Sequence, residues 1–400
     1  MKIGILTFHR PSNFGANLQA YSSASYFSSL GHTVEIIDYT RPGDLAYKKS
    51  VDEQQFLAHQ HFAEERLPLT RQVFDEKGLC EVVRTEQFDA ILIGADAVWR
   101  APQDNCIYFA KWLFDNENIQ NISVASISAA HMGNGYMGVS EATRLHIHDC
   151  LNKFKYITVR DNWTREALNR DVFSGKDFVK VVNPDPVIKL YHFVDGKEWQ
   201  SNGLESKKYY LMSLPVGWGK SAKLGKVRQR WFSRFKQMVH AAGYQLVELP
   251  IPEGKSGMEF DYTIDYPIDP LQWFLWIKNA KAFCGLRFHA IVSSISNGTP
   301  FFSVDSYGRT TRKSMLLDLL GFHRQARKAD TRSKIRNLLR GTVFESNRTG
   351  SYLEFENPKR IFDMLEHTDV NEVLKLRNQL ELQFDSNMSE LLKKISYGNE

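Results

Sequence analysis

The sequence predicts an α/β protein made of two doubly wound parallel sheets, with helices at its C-terminal end. Three observations predict it. Short runs rich in β-branched residues alternate with helix-spaced runs, and such alternation favours parallel sheets covered by helices on both faces. The alternation comes in two series, separated by a polar stretch at 195–208 (DGKEWQSNGLESKK). The 400 residues, 42% hydrophobic and 12% aromatic, supply sizeable cores for two or three domains of ordinary size.

In the first series KIGILTF reads as a strand and HRPSNFGAN as a polar loop. LQAYSSASYFSSLGH follows as a helix closing at Gly31, and TVEIIDY as the next strand. FDAILIG, NISVASI, YITVR and FVKVVN read as further strands. The second series begins with YYLMSL, passes through a long helix from Lys226 to Ala242, and continues with YQLVELPI, KAFCG and PFFSV. Between the last two strands, Phe288, Ile291, Val292 and Ile295 fall at i, i+3, i+4 and i+7, the spacing of one helix face. Asn297-Gly298-Thr299-Pro300 supplies the stop. From Pro358 onward one or two amphipathic helices are expected, including EVLKLRNQLELQF. The expected units are therefore a domain at 1–197, a second at 205–345, and a helical segment at 346–400.

Composition narrows the function classes. No apolar run approaches the length of a membrane span, and the chain enters a strand pattern at once without a signal-peptide pattern. A cytoplasmic location is the expectation. Cys80, Cys106, Cys150 and Cys284 are scattered, with no metal-ligand spacing, so reduced thiols and no bound metal are expected. Net charge is +5, and 324–340 (RQARKADTRSKIRNLLR) carries seven basic residues against one acid. That segment suits a solvated helix face or peripheral contact with an anionic membrane. No zinc finger, RNA-binding aromatic signature or basic zipper accompanies it, so no nucleic-acid partner is expected.

Ligands of open α/β sheets bind beyond the carboxyl ends of the strands. The first strand end offers His9, Arg10, Asn13 and Asn17; the third offers Asp96 and Trp99. Ser128 and His131 follow NISVASI, Arg160 and Asp161 close YITVR, and Asp185 follows FVKVVN. In the second series come Trp218 and Lys220, then Arg287 and His289, then Asp305, Tyr307 and Lys313. Arg287 and His289 stand where a strand gives way to a helix, where free backbone N–H groups favour an anion. So many cations and imidazoles at strand ends suit an acidic small substrate. Gly219-Lys220-Ser221 resembles the end of a phosphate-binding loop, but Leu214 stands where its first glycine is required. SNFGAN lacks the G-x-G-x-x-G spacing of a dinucleotide site, and neither G-x-S-x-G nor H-E-x-x-H occurs.

Four segments in order resemble polysaccharide pyruvyl transferase family proteins. They are the opening KIGILTFHRPSNFGANLQAYSSASYFSSLGHTVEIIDY, then FDAILIGADAVW, YITVRDNWTREAL and GLRFHA. Ala95 stands where the family usually has Ser, and Tyr307 and Lys313 are six apart, unlike the Tyr-x-x-Lys of some members. The likeness runs from Met1 to about Phe322. It implies two Rossmann-like domains facing across a cleft, as in GT-B glycosyltransferases. It also implies transfer of pyruvate from phosphoenolpyruvate to a polysaccharide sugar, or to its lipid-linked precursor, as a ketal, as in capsule or exopolysaccharide synthesis.

That chemistry sets requirements. Phosphoenolpyruvate, a co-substrate rather than a cofactor, carries a carboxylate and a phosphate, and the fork of arginine matches both. Arg287 and Arg160 are the expected donor clamp, His289 the expected proton carrier with His131 second, and His131 a candidate phosphate ligand. Arg160 is also a catalytic candidate. His9, Asn13, Asn17, Asp96, Asp185, Tyr307 and Lys313 are candidates for the acceptor side. Plainer roles stand beside these: a salt bridge for Arg287, core packing for His289, a helix-start ion pair for Arg160. A nucleotide-sugar glycosyltransferase and a noncatalytic carbohydrate-binding relative remain alternatives on the same architecture.

Overall fold

The computed structural model describes residues 1–41, 51–100, 107–116, 119, 122–131, 135–285, 287–305, 326–328 and 357–396. For 303–305 and 326–328 only the backbone is described. Tyr307, Lys313 and the basic segment at 324–340, apart from the backbone of Ala326–Lys328, lie outside these residues. The chain divides into unit 1, comprising Met1–Lys49, His59–Phe193 and Gln379–Glu400, and unit 2, comprising Ser50–Ala58 and Val194–Asn378. The separation between the two series thus falls at Phe193/Val194. The 346–400 segment is not one body: its earlier part belongs to unit 2 and 379–400 to unit 1.

Unit 1 opens with β1 (Lys2–Leu6), α1 (Phe14–Ser29) and β2 (Thr33–Ile36). Next come α2 (Glu53–Arg66), whose first residues up to Ala58 belong to unit 2, then α3 (Glu76–Glu86), β3 (Ala90–Gly94), α4 (Lys111–Phe114) and β4 (Ser123–Ile127). After α5 (Glu141–Leu151), β5 (Thr158–Val159), α6 (Asn162–Asp171) and β6 (Val181–Val182) complete the series. The sheet order is β2-β1-β3-β4, all parallel, and β5 pairs with β6. Single bridges from Ala125 to Tyr156 and from Ala129 to Val159 carry β4 on to β5. β1 and β3 are fully buried apolar runs (Ile3, Ile5, Leu6; Ile91, Leu92, Ile93), as strands covered on both faces require. YITVR and FVKVVN yield only two-residue strands, Thr158–Val159 and Val181–Val182.

Unit 2 begins with β7 (Tyr209–Ser213), α7 (Gly225–Ala241), β8 (Gln245–Glu248) and β9 (Tyr262–Thr263). α8 (Pro270–Asn279), β10 (Ala282–Gly285), α9 (Phe288–Asn297), β11 (Phe301–Asp305) and β12 (Ala326–Lys328) follow. The sheet order is β12-β11-β10-β7-β8-β9, again all parallel. α7 buries Trp231, Phe232, Phe235 and Val239, and α10 (Pro358–Glu366) packs Ile361 and Leu365 into the same core. Each such side chain removed from water contributes about 1.5–3 kcal/mol.

The last helix, α11 (Val370–Ser396), buries Leu380, Phe384, Met388, Leu391 and Ile395 along one stripe. Within unit 1 the Phe384 ring meets Tyr26 at 5.0 Å, Asp385 accepts from Lys189 at 3.0 Å, and the Ile395 carbonyl accepts from Ser123 at 3.1 Å. No helix among the described residues is long and apolar enough to cross a membrane.

Candidate functional site

Each sheet reverses its strand order once. In unit 1 the chain moves outward from β1 to β2, then returns to place β3 on the other side of β1. In unit 2 the same reversal lies between β7 and β10. The strand ends at such switch points are the usual ligand position in sheets of this kind.

At the unit 1 switch point, Gln19 of α1 ties the two strand ends together. Its amide donates to the Thr7 hydroxyl at 2.9 Å and the Phe8 carbonyl at 2.8 Å, and its oxygen accepts from Ala95 N at 3.1 Å. Asn13 caps α1, accepting from Gly15 N at 2.9 Å. His9 is buried, with Nδ1 3.0 Å from the Thr7 carbonyl and Nε2 2.9 Å from Asp38. Arg10 grips the same Asp38 through Nη2 at 2.6 Å and Nε at 3.0 Å, and reaches Glu64 at 2.9 Å. Burial alone would raise the Asp38 carboxyl, but hydrogen bonds from His9 and Arg10 outweigh it and hold Asp38 below the ordinary carboxylate range. Asn17 donates to the His9 carbonyl at 2.8 Å and meets His59 Nδ1 at 2.5 Å through its oxygen. His9, Asn13 and Asn17, expected on the acceptor side, are thus engaged in building the β1–α1 loop.

The second cluster of unit 1 gathers at the end of β5. Arg160 Nη1 lies 2.9 Å from Asp185 and 3.3 Å from Asp96, with Arg160 only 3% exposed. Burial opposes this charge, and Asp96, Asp185 and Asp161 more than compensate, so the guanidinium stays charged. Asp161 also caps α6, accepting from Thr164 N at 2.7 Å. His131 is buried against Tyr136 and Trp163, with ring centroids 5.5 and 6.1 Å away, and its backbone N–H donates to the Thr164 hydroxyl at 3.1 Å. Asp185 also caps the 3-10 turn Pro186–His192 by accepting from Val187 N at 3.0 Å. Arg160, Asp96 and Asp185 come together as a group. Asp96 is the least buried of the three, its side chain 13% exposed.

In unit 2, Gly285 ends β10 directly beside Ser213 of β7. A Cβ at Gly285 would lie 2.5 Å from the Phe283 ring and 3.2 Å from the Ser213 carbonyl, so glycine alone fits this close approach. Arg287 is the N-cap of α9, with extended backbone (φ −80°, ψ 131°), and its side chain makes no capping hydrogen bond. The first turn of α9 carries no acid, and its helix dipole favours an anion. Arg287 is exposed and pairs with Glu253 at 3.1 Å. His289 begins the helix half-buried, its ring edge-on to Phe288. Two residues on a regular helix diverge by about 200°; because Arg287 precedes the winding, its side chain is released from that geometry. No cluster able to hold a metal occurs among the described residues.

Glu253, Gln19, Asp38 and His59 carry contacts that the sequence reading did not single out. Glu253 lies 34 positions from Arg287, and only the adjacency of the loops after β8 and β10 joins them.

Two parallel sheets of this order, with charged side chains at their switch points, define an α/β protein of the GT-B-like class. Solved structures bear out the fold. The chain superimposes on UDP-N-acetylglucosamine 2-epimerase from Rickettsia bellii over 100% of its length and 98% of that chain, with a TM-score of 0.52 and 11% identity. It superimposes on UDP-GlcNAc 2-epimerase from Neisseria meningitidis, a structure bound to UDP-GlcNAc, over 94% of this chain and 100% of that one, with a TM-score of 0.50 and 14% identity. No curated protein matches in sequence. Residues 13–307 match the polysaccharide pyruvyl transferase family, and the chain belongs to that family.

Proposed function

We propose that this protein moves pyruvate from phosphoenolpyruvate onto a sugar of a polysaccharide, or onto its lipid-linked precursor, as a ketal. The observation that carries the proposal is Arg287 at the unit 2 switch point, exposed, at the N-cap position of a helix with no acid in its first turn, with His289 two residues on. An anion with a carboxylate beside a phosphate suits a guanidinium fork at a helix N-terminus.

In the reaction, one sugar hydroxyl bonds to C2 of phosphoenolpyruvate while the methylene carbon gains a proton and becomes methyl. A second hydroxyl of the same sugar then bonds to C2, the C2–O bond to phosphate breaks, and the second hydroxyl proton leaves with the phosphate. His289 is assigned the proton transfers and Arg287 the donor anion. Asp96, fixed by Arg160, is assigned to an acceptor hydroxyl. Arg160 is therefore a positioning residue in this reading, and His131 supports the same loop through Thr164. No cofactor is assigned, and turnover is expected without an added divalent cation.

The test offers phosphoenolpyruvate with lipid-linked and nucleotide-linked sugars, reading phosphate release together with the mass of a ketal-bound pyruvate on the acceptor. Melting curves run in parallel should shift with phosphoenolpyruvate and stay put with nucleotide sugars. A shift with nucleotide sugars alone, together with sugar transfer, would replace this reading with a glycosyltransferase.

A further inference from the structure

Arg287 meets an acid of its own unit at the place where the donor anion is assigned. Its Nη2 lies 3.2 and 3.1 Å from the two carboxylate oxygens of Glu253. Glu253 stands in the loop that follows β8, and that loop is fastened on either side of it. Gly254 N donates to the Ile251 carbonyl at 2.9 Å, and the Tyr266 hydroxyl donates to the same carbonyl. The Lys255 carbonyl accepts from Gly217 N at 3.2 Å, and Ser256 N donates to the buried carboxylate of Glu248 at 2.7 Å. Gly254, at φ +142°, takes a conformation that L side chains rarely adopt. The backbone under Glu253 is thus held in place, and its side chain is 26% exposed. Side-chain rotation is the motion left by which the carboxylate can leave Arg287.

We propose that Glu253 is a displaceable counter-ion of the Arg287 site. Its carboxylate holds the guanidinium before the donor arrives, and the donor's carboxylate then takes its place on the same fork. The inference rests on the donor assignment above. Two carboxylates cannot share one guanidinium edge without repulsion, so Glu253 must rotate toward solvent as the donor seats. The exchange selects among ligands. A carboxylate recovers on Arg287 what Glu253 gives up, whereas an amide in its place does not. Glu253 therefore lowers donor affinity and raises discrimination together.

The experiment titrates the full-length protein with phosphoenolpyruvate, comparing wild type with Glu253→Gln and Glu253→Asp, by calorimetry and by steady-state kinetics. Glu253→Gln removes the competing charge, and Glu253→Asp withdraws it by one methylene. Both should tighten the phosphoenolpyruvate Kd, by roughly two- to fivefold for Glu253→Gln, the scale of a partly exposed ion pair. KM should fall with Kd while kcat does not rise. The amide analogue of phosphoenolpyruvate, poorly bound by wild type, should gain on the native substrate in Glu253→Gln. An unchanged or weaker Kd in both variants, with melting temperatures like wild type, overturns the counter-ion role and leaves the donor assignment standing. If wild type binds no phosphoenolpyruvate at all, the donor assignment falls and this inference with it.

Discussion

Arg160 Nη1 lies 2.9 Å from the carboxylate of Asp185, with both side chains almost sealed from water. A pair so placed is weak evidence of net stability, since desolvation offsets much of the attraction. Breaking it is another matter, because the abandoned carboxylates of Asp185 and Asp96 would remain in a dry site. Arg160→Met should lower the unfolding free energy by about 3–5 kcal/mol. Arg160→Met combined with Asp185→Asn should lose less than the single variant, as read by denaturant midpoints. A single variant of wild-type stability would mean that water already reaches this group.

The switch point of unit 2 makes a paired prediction. Arg287→Lys keeps the charge and loses the fork, so phosphoenolpyruvate should bind more weakly while the melting temperature holds. His289→Ala should leave donor binding nearly intact and lower turnover by roughly a hundredfold or more, the usual scale for a general acid or base. Loss of melting temperature with unchanged turnover per folded molecule would make His289 a packing residue.

His59 predicts an acid-sensitive unit 1. Burial holds the imidazole down to about 3, so it stays neutral in the folded chain while the unfolded chain protonates near 6.5. Its orientation is fixed: the Asn17 amide donates to the His9 carbonyl, which turns the Asn17 oxygen to His59 and makes Nδ1 the donor. The unfolded state binds the extra proton between those two values. The contribution is therefore complete above about pH 6.5 and is lost as pH falls toward 3, at about 1.4 kcal/mol per pH unit. In urea unfolding at pH 7, 5.5 and 4.5, His59→Gln should show a shallower decline than wild type. Parallel declines would show that His59 is not buried in solution.

Gly94 ends β3 with φ +114°, and a Cβ there would lie 2.2 Å from the Ile127 carbonyl oxygen of β4. Both the conformation and the contact exclude a side chain. Gly94→Ala should cost at least about 1–3 kcal/mol, seen as a lowered melting temperature or loss of soluble protein. Gly31, at φ +85° with open space around it, should tolerate alanine better.

What the sequence disclosed was mostly local. The spacing of Phe288, Ile291, Val292 and Ile295 located α9 and put Arg287 ahead of its first turn, and Gly298 closes it as the C-cap. Polar burial hid other elements. α2 went unread because its inward face uses Gln55 and His59 beside Phe62 and Ala63, so no apolar stripe marks it. The partners of Arg160 were hidden for a different reason. Asp96 and Asp185 lie 64 and 25 residues away, and only the parallel order of β3, β4 and β5 gathers them. The same holds for Arg287 and Glu253, whose loops follow β10 and β8, the two strands that flank β7 in the sheet.

Unit 1 is assembled from separated stretches of chain, and its final stretch takes in α11 from Gln379 onward. On the ribosome, β1 through β6 emerge first, the main stretch of unit 2 from 194 to 378 follows, and only then do Leu380, Phe384, Met388, Leu391 and Ile395 appear. Until that moment Tyr26 lacks its ring partner Phe384, and the Ser123 hydroxyl lacks the Ile395 carbonyl. The nascent first unit thus waits with an apolar face uncovered for the time needed to synthesise nearly half the chain. At about 5–20 residues per second that wait lasts on the order of ten seconds or more, long enough for chaperone capture to compete with folding.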